Sequence, residues 1–368
     1  MRIYPLAALA CFLATAAPSV SRAGLYYLPP NKALWPENFA YPMPSGGYKP
    51  QQFRSLLNDL RTIAVDRGGL EGQEGKKSLR QQYLDRAVDL TAKGTALTVP
   101  ERLELSVCQM RLLKPDEALN TLRPAEAAEP RNFMVLANLA TTHQMSNLFD
   151  RAIFYEEQAL ANWPSTYEGS TPEQLRWHRR VEKYHLLLMQ QRLREEQAQP
   201  GKTAEDVDNL FPKFRFQNNK EPYQAGLISP ERWAELPGDA IPIVQQLLIW
   251  MPHDNRLYWL LGELLNARGD PADARDVLDD LEFGRRYTPT DLIRKHLRVL
   301  PTHPDPPTAD GLPASVPGSA SANWLPDWRH ILVGFVAGVI VTLLIQMQWH
   351  EFARRRQLRN AIKPPVRP

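Results

Sequence analysis

The sequence predicts an all-α chain in which paired helices stack into a solenoid and one further helix crosses a membrane near the C-terminus. Two observations carry this prediction. Small and apolar residues recur at a spacing of 34 residues in two parts of the chain, and this period is typical of helix–turn–helix repeats. The segment from Ile331 to Trp349 contains nineteen residues and no charge, which is long enough to cross a hydrocarbon core of roughly 30 Å.

The first element is a secretory signal peptide, predicted over residues 1–23. An apolar stretch follows Arg2, and Ser21 and Ala23 place small residues just before a cleavage site at Gly24. Once this segment is removed, Cys108 is the only cysteine left. The exported part is therefore expected to fold without an intramolecular disulfide.

Residues 24–49 combine five prolines with six aromatic residues. The prolines exclude a regular helix, and we expect the segment to lie extended along the solenoid, with partner binding as the alternative.

Two helices are predicted next, Pro50–Val65 and Ser78–Thr91. We expect them to cap the first repeat within residues 50–98.

The solenoid is predicted over residues 99–300, with repeats at about 99–132, 133–166 and 255–288. The pairs that recur 34 positions apart are Leu105 and Leu139, Ala118 and Ala152, Ala125 and Ala159, Pro130 and Pro164, Ala240 and Ala274, and Leu247 and Leu281. The prolines are expected to end the second helix of a pair, because proline lacks an amide hydrogen and clashes with the preceding turn.

Small side chains allow paired helices to approach each other closely, and larger apolar ones fill the seam between them. The predicted repeat-packing residues are Leu105, Ser106, Ala118, Leu139, Ala140, Ala152, Leu261, Gly262 and Ala274. Asn147 and Gly269 are expected to form the short turns between the helices of a pair.

This pattern resembles the tetratricopeptide repeat. Residues 256–274 carry an aromatic residue, Leu-Gly, a bulky residue, Gly and Ala where that family has them, and the second copy carries Leu139-Ala140 and Asn147. The first copy departs from the family with Pro115 in place of an aromatic residue. The chain is similar in this respect to exported, membrane-anchored repeat proteins of bacteria. The resemblance implies a concave groove that binds peptides or partner proteins.

Transferred position by position, the resemblance implies a partner-binding groove formed by Leu103, Val107, Met110, Ala137, Thr141, Gln144, Trp259 and Glu263. These residues are mostly apolar or neutral, so an apolar or amphipathic protein segment suits the groove better than a clamped carboxylate. Trp259 is the expected anchor, because it combines a large apolar area with an indole donor. Packing against the insertion or a neighbouring helix is its alternative role.

A long helix and an insertion separate the second repeat from the third. The pattern Ser170-Thr171-Pro172-Glu173 predicts a capping box and a helix to about Gln197, with Asp239–Trp250 as its partner. The predicted buried stripe of the long helix is Trp177, Val181, Tyr184 and Leu188. The insertion, about residues 198–237, is a candidate contact site and contains alternating aromatic residues, in a short strand or a packed loop, at Phe211, Phe214 and Phe216.

Downstream, a closing helix is predicted at Thr290–Leu300. A Pro-, Ala- and Ser-rich spacer, residues 301–326, leads to the transmembrane helix, residues 330–349. The tail, residues 350–368, contains six basic residues. This excess places the tail in the cytoplasm and the solenoid in the periplasm, and it makes the chain a single-pass protein of the inner membrane. Gly334 and Gly338 form a G-x-x-x-G pattern that can bring two spans together in a homodimer, but glycines also occur in monomeric spans.

The sequence contains no phosphate loop, nucleophile elbow, zinc-protease pair or haem motif. The nearest candidate for chemistry is His178, Glu182 and His185, which share one face of the long helix and include the Glu-x-x-His spacing of metal-binding bundles. Basic neighbours would repel a cation, and a fourth protein ligand is lacking. We therefore expect a solvated polar face, no metal, no cofactor and no enzymatic activity. An enzyme with a metal centre on this face is the opposing hypothesis.

These expectations favour a non-catalytic, membrane-anchored extracytoplasmic scaffold or adaptor that binds other proteins. The formal net charge is only +3, and the six basic residues of the tail account for it, so nothing favours nucleic acid. The alternative function is binding of cell-wall or surface polysaccharide through the aromatic segment of residues 24–49.

Overall fold

The computed structural model describes residues 47–65, 77–167, 171–200, 207–211, 223–226, 233–287 and 290–303. The chain divides into two compact units, residues 1–304 and 305–368, and all the described residues belong to the first. They form eleven α-helices and no strand, which confirms the predicted all-α class. None of these helices is both long and apolar enough to span a membrane. The predicted signal peptide, most of the aromatic segment, the transmembrane helix and the tail lie outside the described residues.

The bounds of these helices are α1 Pro50–Thr62, α2 Leu79–Thr91, α3 Val99–Arg111, α4 Pro115–Ala128, α5 Phe133–Met145, α6 Phe149–Ala161, α7 Pro172–Ala198, α8 Ala240–Trp250, α9 Asn255–Arg268, α10 Pro271–Asp279 and α11 Thr290–Leu297. The pairs α3–α4, α5–α6 and α9–α10 each pack as a helical hairpin. These hairpins coincide with the three predicted repeats. The helices within each pair follow one another closely, whereas longer segments separate α1 from α2 and α7 from α8.

Local sequence signals explain where the repeat helices begin. The Thr98 hydroxyl accepts from the Glu101 amide while the Glu101 side chain accepts from the Thr98 amide, which is a capping box. Asn132 and Asp254 cap α5 and α9 with side-chain oxygens that accept backbone amides. Each cap satisfies a donor that the first turn of a helix leaves unpaired.

The turns within the hairpins all use a left-handed residue. Asn147 has φ +56° between α5 and α6, and Gly269 has φ +100° between α9 and α10. The first hairpin places Leu113 at the same position with φ +57°. Only glycine, and to a smaller degree asparagine, adopts this conformation at low cost.

The nine predicted repeat-packing residues are all buried. Ala118, Ala152 and Ala274 have no exposed surface. A Cβ atom on Gly262 would lie 3.1 Å from Leu278 Cδ2 and 3.2 Å from Val277 Cγ1. The small residues therefore stand where paired helices approach each other most closely.

Helix α8 is central to this unit, and all eleven of its residues are buried. It packs against α7, α9 and α1. Helix α1 also contacts α2 and α10, so the N-terminal helix reaches the third hairpin. This arrangement differs from the expectation that both early helices cap the first repeat, since α2 packs against α3 whereas α1 packs against α2, α8 and α10.

Specific polar contacts hold α1 in this position. The Tyr48 amide donates to Gln245 Oε1 at 2.8 Å, and Gln245 Nε2 donates to the Tyr48 carbonyl at 2.9 Å. Arg54 forms an ion pair with Asp276 of α10. Tyr48 itself is buried and packs against Phe53, which agrees with the expectation that the end of the aromatic segment lies along the helical array.

Two expectations about α7 were wrong. Its N-cap is Thr171, which pairs reciprocally with Gln174, so the capping box lies one residue later than Ser170–Glu173. The buried face is also rotated from the predicted stripe. Trp177 and Tyr184 are only partly buried, and the fully buried residues of α7 are Leu175, His178, Val181, Glu182, His185, Leu188 and Met189.

Candidate functional site

The eight residues of the expected partner-binding groove are buried, with exposed fractions of 0–6%. Other parts of the chain cover this surface. His185 of α7 contacts Gln144, and His296 of α11 contacts Glu263. A partner segment cannot reach these side chains unless helices separate. A cavity of about 270 Å³ does border Met110 and Gln144.

Trp259 belongs to a buried polar network. Its Nε1 donates to Glu263 Oε1 at 2.9 Å, and His296 Nδ1 donates to the same oxygen at 2.6 Å. Tyr223 of the insertion stacks on the His296 ring with a centroid separation of 3.7 Å. Trp259 is fully buried, and its ring meets the Tyr287 ring edge-on with centroids 6.3 Å apart, so it packs inside the fold and is not an exposed anchor.

A second buried network ties the insertion to the array. Arg192 of α7 donates to both carboxylate oxygens of Asp208 and to both of Asp254, with the shortest distances at 2.6 Å. Arg256 adds a 2.9 Å ion pair to Asp208. The Asp208 side chain has no exposed surface. Such charges are stable in the interior only when each has its partners.

One described part of the insertion borders an open groove. The groove, of about 730 Å³, runs beside α7, and Phe211 of the insertion is among its lining residues. No strand occurs in the described parts of the insertion, and Phe214 and Phe216 lie outside them. The groove is lined by Arg176, Arg179, Arg180, Lys183, Tyr184, Leu187, Phe211, Glu235 and Pro237.

This groove, which we name the α7 groove, is lined by both apolar and positively charged side chains. Tyr184 and Phe211 pack against each other with ring centroids 5.6 Å apart. Leu187 has 43% of its surface exposed. Arg180 is paired with Asp239 at 2.7 Å. The other three cations of the groove, all exposed, form no ion pair with any described residue.

The expectation of a solvated polar face on α7 was wrong. His178, Glu182 and His185 are 0–2% exposed, because this face packs against α6. Glu156 of α6 joins them, also with no exposed surface. His185 Nδ1 lies 3.4 Å from Glu156 Oε2 and 3.3 Å from Glu182 Oε2. The basic neighbours that weighed against a cation line the α7 groove outside this cluster.

Burial sets the protonation of this cluster. Desolvation raises the pKa of Glu156 well above its usual value, and the charge of Glu182 adds to the rise. Burial alone would lower the pKa of His185, but interaction with the adjacent carboxylates of Glu156 and Glu182 favours the charged ring and raises that pKa to about 9. Burial lowers the pKa of His178 to about 4. His178 is therefore neutral at pH 7.

One sequence signal marks the cluster. Glu156 stands 34 residues after Leu122 and occupies the position that Leu278 has in the third repeat. Both leucines are fully buried. The sequence prediction for this face missed Glu156. A carboxylate at a buried leucine position of a repeat indicates a special site, and a comparison of the copies in the 34-residue register would have revealed it.

No family model, curated protein or solved structure matches this chain.

Proposed function

We propose that the chain is a non-catalytic scaffold or adaptor of the extracytoplasmic space, anchored in the inner membrane by residues 330–349. The tetratricopeptide-like register of the three hairpins supports an array that serves binding. The observation that carries the proposal is the α7 groove, which is open and lined by apolar and positively charged side chains. The proposed docking surface is therefore the exposed side of α7, and not the buried residues of the partner-binding groove expected from the sequence.

The occupant that suits this groove is an acidic segment of a partner protein that also carries an aromatic or aliphatic residue. A volume of about 730 Å³ falls in the range of about 300–1,000 Å³ that is usual for binding pockets. Tyr184, Leu187 and Phe211 offer apolar contact area. Arg176, Arg179 and Lys183 form no ion pair with a described residue, and Glu235 is the single acidic residue of the lining, so a carboxylate-rich partner gains attraction without breaking an existing ion pair.

Site-specific photo-cross-linking in cells tests this assignment. A photoreactive residue at Leu187 should form discrete cross-links to a partner protein. The control is Phe154, another exposed apolar residue, which is 56% exposed and lies on α6. Identical products from both positions, or none from Leu187, would contradict docking at the groove. Cross-links from Leu187 to lipid alone would indicate a membrane-facing surface and would also contradict it.

The proposed compartment has its own test. Protease added outside the inner membrane should digest the chain before Trp328 and spare the arginine-rich tail, because the charge bias orients the tail toward the cytoplasm. An epitope placed after Pro368 reports the protected fragment. Protection of the helical array, with loss of the epitope, would refute the proposed orientation.

A further inference from the structure

The Glu156, Glu182 and His185 cluster has the geometry of a metal site. Around a tetrahedral ion with bonds of about 2.0–2.2 Å, neighbouring ligand atoms lie roughly 3.3–3.6 Å apart. The distances from His185 Nδ1 to the two carboxylates, 3.3 and 3.4 Å, match this separation. One ligand atom from each of the three residues lies within 4.8 Å of the others. These distances are too long for good hydrogen bonds between nitrogen and oxygen.

Hydrogen bonding prepares His185 for this role. His185 Nε2 forms a hydrogen bond with Gln144 Oε1, and because an amide oxygen only accepts, Nε2 carries the proton. The raised pKa keeps a second proton on Nδ1, which a bound metal ion would displace, and the lone pair of Nδ1 would then bind the ion together with the two carboxylates. Metal-ligating histidines are commonly oriented in this way, by donating their other ring nitrogen to a carbonyl oxygen.

The carboxylate oxygens of Glu156 give evidence for a cation site that is independent of the distances within the cluster. Both of its oxygens are buried, and neither accepts a hydrogen bond from the described residues. Its carboxylate replaces the leucine found at this position in the other two hairpins. Buried acidic groups of this kind are costly unless they are paired or bind a cation. Packing alone would favour leucine here.

The charges balance in the ion-bound state. Metal binding would release the protons held by Glu156 and His185, and two carboxylates with a neutral imidazole then carry a formal charge of −2, which a divalent ion cancels. Carboxylate and imidazole ligands together suit first-row ions such as Zn²⁺, and the Glu182-x-x-His185 spacing places two ligands on one face of α7. We propose that Glu156, Glu182 and His185 bind a divalent transition-metal ion that joins α6 of the second hairpin to α7.

The test uses the full-length chain purified in detergent. After treatment with a chelator, it is titrated with Zn²⁺, and separately with Co²⁺, whose visible absorption reports tetrahedral ligation. We expect one bound ion per chain and a melting temperature that rises with metal concentration, because the ion binds only the folded state. Absence of a stoichiometric ion, or no effect of metal on unfolding, would overturn the proposal.

Three variants locate the ion. Glu156→Leu, which installs the residue of the other hairpins, should abolish binding while the metal-free chain still melts cooperatively. Gln144→Leu should retain the ligands but weaken binding by about 10–100-fold, because the orientation of His185 is lost. Asp273→Asn alters the group Asp273, Asp276 and His303, a second cluster with suitable spacing among the described residues, and should leave binding unchanged. Binding that survives Glu156→Leu but disappears in Asp273→Asn would refute the site.

Discussion

The repeated hairpins and the long helix α7 bury different kinds of side chain. In the seams of the hairpins, small and aliphatic residues such as Ala118, Ala152 and Leu278 are fully buried. On α7 the buried face includes His178, Glu182 and His185, and Arg192 reaches buried carboxylates near the C-terminal end of the helix. Both regions are packed interiors, but only the hairpins rely mainly on apolar contacts.

The comparison indicates that buried polar residues have specific partners where unlike elements meet. Each copy of a repeat has the same shape, so the positions in its seam require side chains of a particular size. The α7 region joins unlike elements, namely α6, the insertion and α8. There, directed ion pairs and hydrogen bonds select one arrangement of the elements, at the cost of desolvating charges. The predictions below perturb each region in turn.

The largest effect is expected from Arg192→Ala. Removing this guanidinium leaves the buried carboxylates of Asp208 and Asp254 without their main partner, and loss of one member of a buried ion pair typically costs about 3–5 kcal/mol. Denaturant unfolding of the full-length chain measures this change. Arg194→Ala, at an exposed position two residues away, should change stability by less than about 0.5 kcal/mol. Equal effects from both would show that the network does not stabilise the region.

A smaller loss is expected in the hairpin seam. Ala152→Leu adds volume where the helices of the second hairpin touch, and overpacking of a core typically costs about 1–3 kcal/mol. The matched change Arg151→Leu adds an apolar residue at an exposed neighbour and should have little effect. If melting curves for the two variants coincided, the assigned repeat register would be incorrect.

The hairpins could be predicted closely because their buried positions are apolar and recur at a fixed spacing. Helices α3 and α9 begin at or beside the predicted repeat boundaries, and Asn147 and Gly269 form the turns assigned to them. The sequence did not show that the chain covers the expected partner-binding groove, since this depends on long-range contacts such as His185 with Gln144 and His296 with Glu263. The buried face of α7 was missed because apolar periodicity cannot identify polar residues that have partners.

The smallest effect concerns the hairpin turns. Leu113 adopts φ +57° where the second hairpin has Asn147, and a left-handed leucine costs roughly 1–2 kcal/mol. Leu113→Asn should raise stability by about 0.5–1 kcal/mol, and Asn147→Leu should lower it by a similar amount, because asparagine tolerates this conformation. Paired thermal melts measure both. A loss of stability in Leu113→Asn would mean that the leucine side chain contributes more than its backbone strain.

The central claim is that the α7 groove binds an acidic segment of a partner protein. It is tested most directly by quantitative co-purification of tagged full-length chains from cells. The variant Arg176→Glu/Arg179→Glu/Lys183→Glu reverses the unpaired charges of the groove. The control, Arg123→Glu/Arg131→Glu/Arg151→Glu, makes the same change in charge at exposed positions of the first two hairpins.

The account predicts that the groove variant loses the partner recovered with the unaltered chain, while the control retains it and both variants melt normally. Equal recovery of the partner by the two variants would contradict docking at the α7 groove.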